Sequence, residues 1–62
     1  MKNYRIDILN PDQRYAPGRY YRDEAVARDR AQRLARSGRL TARVVRVDDG
    51  AALATYTPES AA

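Results

Sequence analysis

The feature that most limits how this chain can fold is its shortage of bulky apolar side chains. Its 62 residues include only four Val, four Leu and two Ile, with no Phe and no Trp, while alanine occurs 11 times and tyrosine five times. A chain of this length buries only about 60% of the surface that its unfolded form exposes. We therefore expect one small domain with a thin core and no deep pocket for a small-molecule substrate.

Cysteine and histidine are both absent from the chain. This composition excludes disulfides, zinc sites built on thiolate or imidazole, and the two usual activators of a nucleophile. Ser37 and Ser60 have no histidine partner, and Asp48 and Asp49 are neighbours in a predicted turn rather than an opposed acid–base pair. We expect a protein that is not an enzyme, with no catalytic residue, no cofactor and no metal ion.

The first third of the chain has the pattern of a strand followed by two turns. Apolar and polar residues alternate over Tyr4–Leu9, which predicts a half-buried strand. The Asn-Pro pair in residues 10–13 favours a type I turn, and the Pro-Gly pair in residues 16–19 favours a type II turn. Residues 13–15 and 19–21 then form either a short extended pair or a tight loop.

Residues 23–37 carry the clearest helix signal. Asp23 is of a residue type that caps helices, and Gly38 is placed to end one in the left-handed conformation. Positions three and four apart form a narrow stripe that is expected to face the core: Ala27, Ala31, Leu34 and Ala35. Alanine side chains allow a helix to approach a sheet closely but remove little apolar surface from water.

A β-hairpin is predicted after the helix. Residues 40–47 include three β-branched valines, residues 48–50 read Asp-Asp-Gly, and residues 51–56 form the second strand. Both a two-residue type I′ turn and a three-residue loop with Gly50 at a bulge fit this pattern. The two alternatives shift the strand pairing by one residue and so exchange the faces of the second strand.

These elements together predict an α+β fold. We expect an open, three- to four-stranded and mainly antiparallel sheet with one helix packed on one face, formed by residues 1–57, and a flexible tail over residues 58–62. The layout is similar to that of many very small proteins of bacteria and phages. Since no apolar run resembles a signal peptide or a membrane span, we expect a cytoplasmic location and no membrane contact.

Valines on both faces of the first hairpin strand suggest a protein interface. Alternation places Val44 on one face and Val45 and Val47 on the other, whereas a single helix covers only one face. A β-bulge near Val44 is the alternative, because it turns all three valines inward. The first explanation predicts a binding module that forms a homo-oligomer, or a complex with another protein, through its uncovered sheet face or its sheet edge. The predicted interface residues are Tyr15, Tyr20, Tyr21, Val45, Val47 and Tyr56.

Residues 14–22 are rich in arginine and tyrosine, and the chain carries a net charge of +4. Aromatic rings that stack on bases and guanidinium groups that neutralise phosphates are typical of proteins that bind single-stranded DNA or RNA. This second hypothesis uses the segment together with the basic helix face, through Arg14, Arg19, Arg22, Arg33 and Arg36. Glu24 and Asp29 each precede an arginine by four residues, so part of the helix charge is expected to be paired locally.

Overall fold

A computed structural model describes residues 2–59 and shows a sheet of four strands with one helix on one face. The sheet order is β2-β1-β3-β4, and each neighbouring pair is antiparallel. The predicted α+β fold, with three to four strands and one helix, is therefore confirmed, and the number of strands is four. The elements are β1 (Tyr4–Leu9), β2 (Tyr15–Tyr21), α1 (Glu24–Gly38), β3 (Ala42–Arg46) and β4 (Ala52–Tyr56). Met1 and the last three residues of the predicted tail lie outside the described residues.

The core lies between α1 and the two central strands. Ile6 of β1 is opposite Val44 of β3, and both side chains are buried on the face that the helix covers. Three alanines of the predicted stripe are fully buried: Ala27, Ala31 and Ala35. Leu34 was expected to reach into the core with them, but it is 36% exposed. Leu34 instead lines an open groove between the helix and the β2 side of the sheet, at the border of the contact.

The loop between β1 and β2 contains the predicted type I turn. The N–H of Gln13 donates to the carbonyl of Asn10 at 2.9 Å, which is the bond expected across four turn residues. Gln13 itself has a φ of 68°. A type I turn followed by one left-handed residue is a common three-residue hairpin loop, so β1 and β2 form a hairpin.

The second predicted turn, at residues 16–19, is wrong: these residues belong to the continuous strand β2. The pairing changes from Arg5 opposite Tyr20 to Asp7 opposite Pro17, which places one extra residue in β2 as a bulge. Pro17 is tolerated because β2 is an edge strand. Gly18 is required there, because a Cβ atom at this position stands 2.6 Å from the carbonyl oxygen of Ile6.

The helix begins as predicted and ends one residue later than predicted. The Asp23 carboxylate accepts a hydrogen bond from the N–H of Ala25 at 2.8 Å, so the N-cap is confirmed. Gly38 is still helical, and Arg39 adopts the left-handed conformation with a φ of 50°. Gly38 is therefore not needed for a positive φ but for the space beside it. A Cβ at this position meets Leu40 Cδ2 at 3.1 Å, and Leu40 packs against the core.

Replacing Arg39 by glycine is expected to stabilise the protein by about 0.5–1 kcal/mol. A residue with a Cβ in the left-handed region is strained by roughly 1–2 kcal/mol, and glycine relieves this strain. Part of the stability gained in this way is lost, because glycine has more conformational freedom in the unfolded chain. Arg39→Ala, which keeps a Cβ, serves as the control and is expected to change stability little. Urea unfolding checks both, and equal stability of the two variants contradicts the strain explanation.

The hairpin between β3 and β4 has a four-residue loop, so both predicted loop lengths are wrong. The N–H of Arg46 donates to the carbonyl of Ala51 at 2.9 Å, and the N–H of Gly50 donates to the carbonyl of Arg46 at 2.8 Å. Gly50 has a φ of 71°, which explains the glycine at the end of the loop. The longer loop includes Val47, which was expected to be a strand residue.

A β-bulge does occur near Val44, but it lies in β4. The pairing passes from Val44 opposite Ala54 to Val45 opposite Ala52, so Leu53 is the extra residue. The register of β3 against β1 is unbroken over Ala42–Arg46. Successive residues of β3 therefore still alternate between the faces, and the alternative in which all three valines turn inward is wrong.

Candidate functional site

The sheet face opposite the helix, here called the outer face, is the first candidate surface. The register places Arg5 opposite Val45 and Asp7 opposite Arg43 on this face. Although no helix covers it, Val45 is only 2% exposed. The expectation that Val45 needs a partner to be buried is therefore wrong, because side chains of its own chain cover it.

A buried carboxylate holds the outer face together. Asp7 is 2% exposed, and its Oδ1 accepts from Arg5 Nε at 2.6 Å while its Oδ2 accepts from Arg5 Nη2 at 3.1 Å. Arg43 reaches the same carboxylate from β3, with Nη2 3.3 Å from Oδ2. The Arg43 guanidinium also lies over the ring of Tyr15, 3.8 Å from its centroid. One carboxylate thus fixes two arginines from different strands.

The hydroxyl of Tyr20 completes this arrangement on the other side. Hydrogen bonding to Asp7, and then to Tyr20, raises the pKa of the Arg5 guanidinium above its ordinary value. We call the five side chains the outer layer: Tyr15, Arg43, Asp7, Arg5 and Tyr20. The aliphatic parts of arginine side chains cover apolar surface while their charged ends are paired, which explains how Val45 is buried without a second helix.

The two edges of the sheet differ in chemistry. The strand β2 carries Pro17, a bulge at Gly18 and the exposed Arg19, which are features that discourage pairing with another strand. The opposite edge, β4, has the sequence Ala-Leu-Ala-Thr-Tyr, without a charged residue or a proline. Its bulge at Leu53 leaves the segment 54–56 as a regular, uncharged edge.

A groove of about 570 Å³ lies between α1 and the β2 side of the sheet. Three arginines line it: Arg19 from the bulge, and Arg30 and Arg33 from the helix. Its remaining lining is mostly apolar and includes Tyr21 and the half-exposed Leu34. Among residues 2–59, none of those that line the groove is acidic, so this surface concentrates positive charge.

The structure does not bring the predicted interface residues together. Tyr15 and Tyr20 are on the outer face, whereas Tyr21 and Tyr56 pack against the core on the helix side. Val47 is 40% exposed in the hairpin loop. The predicted interface residues therefore lie on several separate surfaces. Their assignment to a protein interface stays a prediction.

Of the residues predicted to contact nucleic acid, only two line the groove. Arg19 and Arg33 do so, joined by Arg30, whereas three others lie elsewhere: Arg14, Arg22 and Arg36. The sequence showed Arg30 as one of several helix arginines and gave no signal that singled it out. Arg30 and Arg19 line the same groove because the bulged strand β2 lies beside the helix.

The helix charges pair as predicted at spacing four. Arg28 Nε lies 2.8 Å from Glu24 Oε2, and Arg33 Nε lies 3.1 Å from Asp29 Oδ2. The bond to Glu24 is the main cause that raises the pKa of Arg28. In the hairpin loop, the N–H of Ala51 and the nearby Arg46 lower the pKa of Asp49.

Within residues 2–59, no helix is both long enough and apolar enough to cross a bilayer. The same residues contain no group of three or more side chains of the types Asp, Glu, His and Cys placed to hold a metal ion. Comparison of the chain with protein-family models, with curated proteins and with solved structures gives no significant match. Over residues 2–59, the fold and its surfaces define a small α+β domain with an uncharged edge strand, β4, and a groove lined by arginines.

Proposed function

We propose that this protein is a non-enzymatic binding module that associates with a second copy of itself by pairing at the β4 edge. The observation that carries the proposal is the contrast between the two edges of the sheet. The strand β2 is protected by Pro17 and its bulge, while the five residues of β4 include no charge and no proline. Uncharged edge strands are the ones that accept another strand.

The hydrogen-bond pattern indicates which groups of β4 are available. Leu9 donates its N–H to the carbonyl of Thr41, so odd-numbered residues of β3 direct their backbone groups to β1 and even-numbered ones to β4. Ala54 is opposite the even-numbered Val44, and its backbone groups face β3. Those of the next residue, Thr55, therefore face away from the sheet, where a second strand binds.

The chemistry of the outer face favours the edge over the face. The outer layer contains two guanidinium groups, of Arg5 and Arg43, against the single carboxylate of Asp7, so it carries net positive charge. Two such faces placed against each other repel. Two β4 strands related by a twofold axis pair residues that carry no charge, and together they form one continuous eight-stranded sheet.

Thr55→Pro is expected to abolish this association. Proline removes the outward N–H of Thr55 but no bond of the β3–β4 ladder, and prolines are compatible with edge strands. Because a short edge pairing buries little surface, we expect the wild type to dimerise only at high micromolar to millimolar concentration. Sedimentation equilibrium over that range measures the effect, with circular dichroism to confirm that the variant is folded.

Two further variants make the test specific. Thr55→Lys adds a charge at the edge and is expected to weaken dimerisation, whereas Gln32→Lys adds the same charge on the exposed side of the helix and is the matched control. A wild type that stays monomeric at millimolar concentration contradicts the proposal. So does a folded Thr55→Pro variant that dimerises as well as the wild type.

A further inference from the structure

The groove between α1 and the β2 side of the sheet is the surface that the proposed function does not use. It is lined by arginines from two elements that lie far apart in sequence, Arg19 in the β2 bulge and Arg30 and Arg33 on the helix. Arg19 and Arg30 have no carboxylate partner among residues 2–59, and the partner of Arg33 is an exposed aspartate. The three guanidinium groups are therefore available to an anionic ligand.

The bulge that places Arg19 in the groove depends on one glycine. Gly18 sits against the carbonyl of Ile6, and only a residue without a Cβ fits at that distance of 2.6 Å. The bulge adds a residue to β2 between the positions opposite Arg5 and Asp7. A bulge commonly redirects a side chain at a functional surface, and here Arg19 is a groove residue next to Gly18.

We propose that this groove binds single-stranded nucleic acid. Its three guanidinium groups match phosphates, and its apolar lining, which includes Ile8, Tyr21 and Leu34, matches the faces of unstacked bases. A duplex offers phosphates but hides its base faces, so it leaves that apolar lining without a partner. A peptide made only of acidic residues offers charge but no flat aromatic groups. A single strand is the ligand that uses both parts of the groove.

The edge pairing proposed above and this groove are independent of each other. The groove lies at β2, whereas the pairing uses β4 at the opposite end of the sheet. Thr55→Pro is therefore expected to bind nucleic acid like the wild type. Failure of either proposal leaves the other intact, and the two sets of variants distinguish them.

Fluorescence anisotropy with a labelled eight-nucleotide oligothymidine measures binding as salt is increased. Three phosphate contacts predict that the logarithm of the association constant falls linearly with the logarithm of the salt concentration, with a slope of about −2. Arg19→Ala and Arg30→Ala are each expected to weaken binding severalfold and to reduce the magnitude of the slope by about 0.7. Arg14→Ala and Arg22→Ala remove the same charge outside the groove, and are expected to change binding less than twofold.

Three other probes test which part of the ligand is recognised. An abasic strand of the same length, an eight-base-pair duplex and an octaglutamate peptide are each expected to bind at least severalfold more weakly than the oligothymidine. Any of them binding as tightly as the oligothymidine overturns the proposal. Loss of binding in Arg14→Ala equal to that in Arg30→Ala overturns it as well, since it indicates attraction by net charge alone.

Discussion

Asp7→Asn is expected to destabilise the protein by about 2–4 kcal/mol. Removing one partner of a buried ion pair costs about 3–5 kcal/mol, because the remaining charges stay unpaired. Here the carboxylate is buried, but Arg5 and Arg43 are partly exposed and regain some hydration, which lowers the expected loss. A domain of this size is stable by only about 3–9 kcal/mol, so the variant loses a large fraction of its stability.

Asp29→Asn is the matched control for this substitution. Asp29 also pairs with an arginine, but both side chains are exposed, and such pairs contribute about 0.3–0.5 kcal/mol. Urea unfolding of both variants at neutral pH compares the two environments. If Asp7→Asn loses no more stability than Asp29→Asn, the outer layer does not stabilise the sheet in the way described.

Gly18→Ala is expected to destabilise the protein by about 2 kcal/mol. The added Cβ stands 2.6 Å from the carbonyl oxygen of Ile6, which belongs to the backbone and moves only if the β1–β2 ladder is disturbed. Forcing an extra carbon into a packed position typically costs 1–3 kcal/mol. Thermal unfolding measures the effect, with a midpoint shift of about 4–8 °C expected for each kcal/mol.

Two other glycines provide internal controls for Gly18→Ala. A Cβ on Gly38 meets only the side chain of Leu40, and one on Gly50 meets no atom within 4 Å, although its φ of 71° disfavours alanine. We expect Gly38→Ala and Gly50→Ala to cost less than Gly18→Ala. Equal losses for Gly18→Ala and Gly38→Ala contradict the steric explanation of the bulge.

Residue types and their spacing within short segments were sufficient to predict the strand β1, the start of the helix and its buried face. Alternation predicted β1, and the capping type of Asp23 predicted the start of the helix. The spacing of the alanines predicted the buried helix face. In each case the physical cause lies within a few residues of the element itself, which is why a single sequence is enough.

The predictions that failed are those in which contacts between distant segments decide the structure. The Pro-Gly pair at Pro17 favours a turn locally, but pairing with β1 keeps the chain extended and turns the same residues into a bulge. Val45 is buried although no helix covers its face, and its cross-strand neighbour on that face is Arg5, which lies far from it in the chain. A count of apolar side chains leaves out arginines, whose aliphatic parts cover apolar surface when their charged ends are paired.

The candidate surfaces were predictable in residue type but not in position. Tyrosine and arginine were identified as the residues for binding, yet three of the five arginines chosen lie outside the groove, and Arg30 was not chosen. The open edge at β4 was also unpredictable, since the sequence did not give the strand order. Which strand lies at the edge depends on β1 pairing with both β2 and β3.

The edge-pairing proposal is tested most directly by a dilution series followed by amide NMR. We record spectra of the uniformly ¹⁵N-labelled protein between about 20 µM and 2 mM. The amide signals of Ala52–Tyr56 are expected to shift with concentration, because weak dimerisation occurs in this range. Amides of the outer layer, such as those of Asp7 and Tyr15, are expected to remain unchanged. Shifts concentrated on the outer layer, or spectra that do not change with concentration, contradict association through the β4 edge.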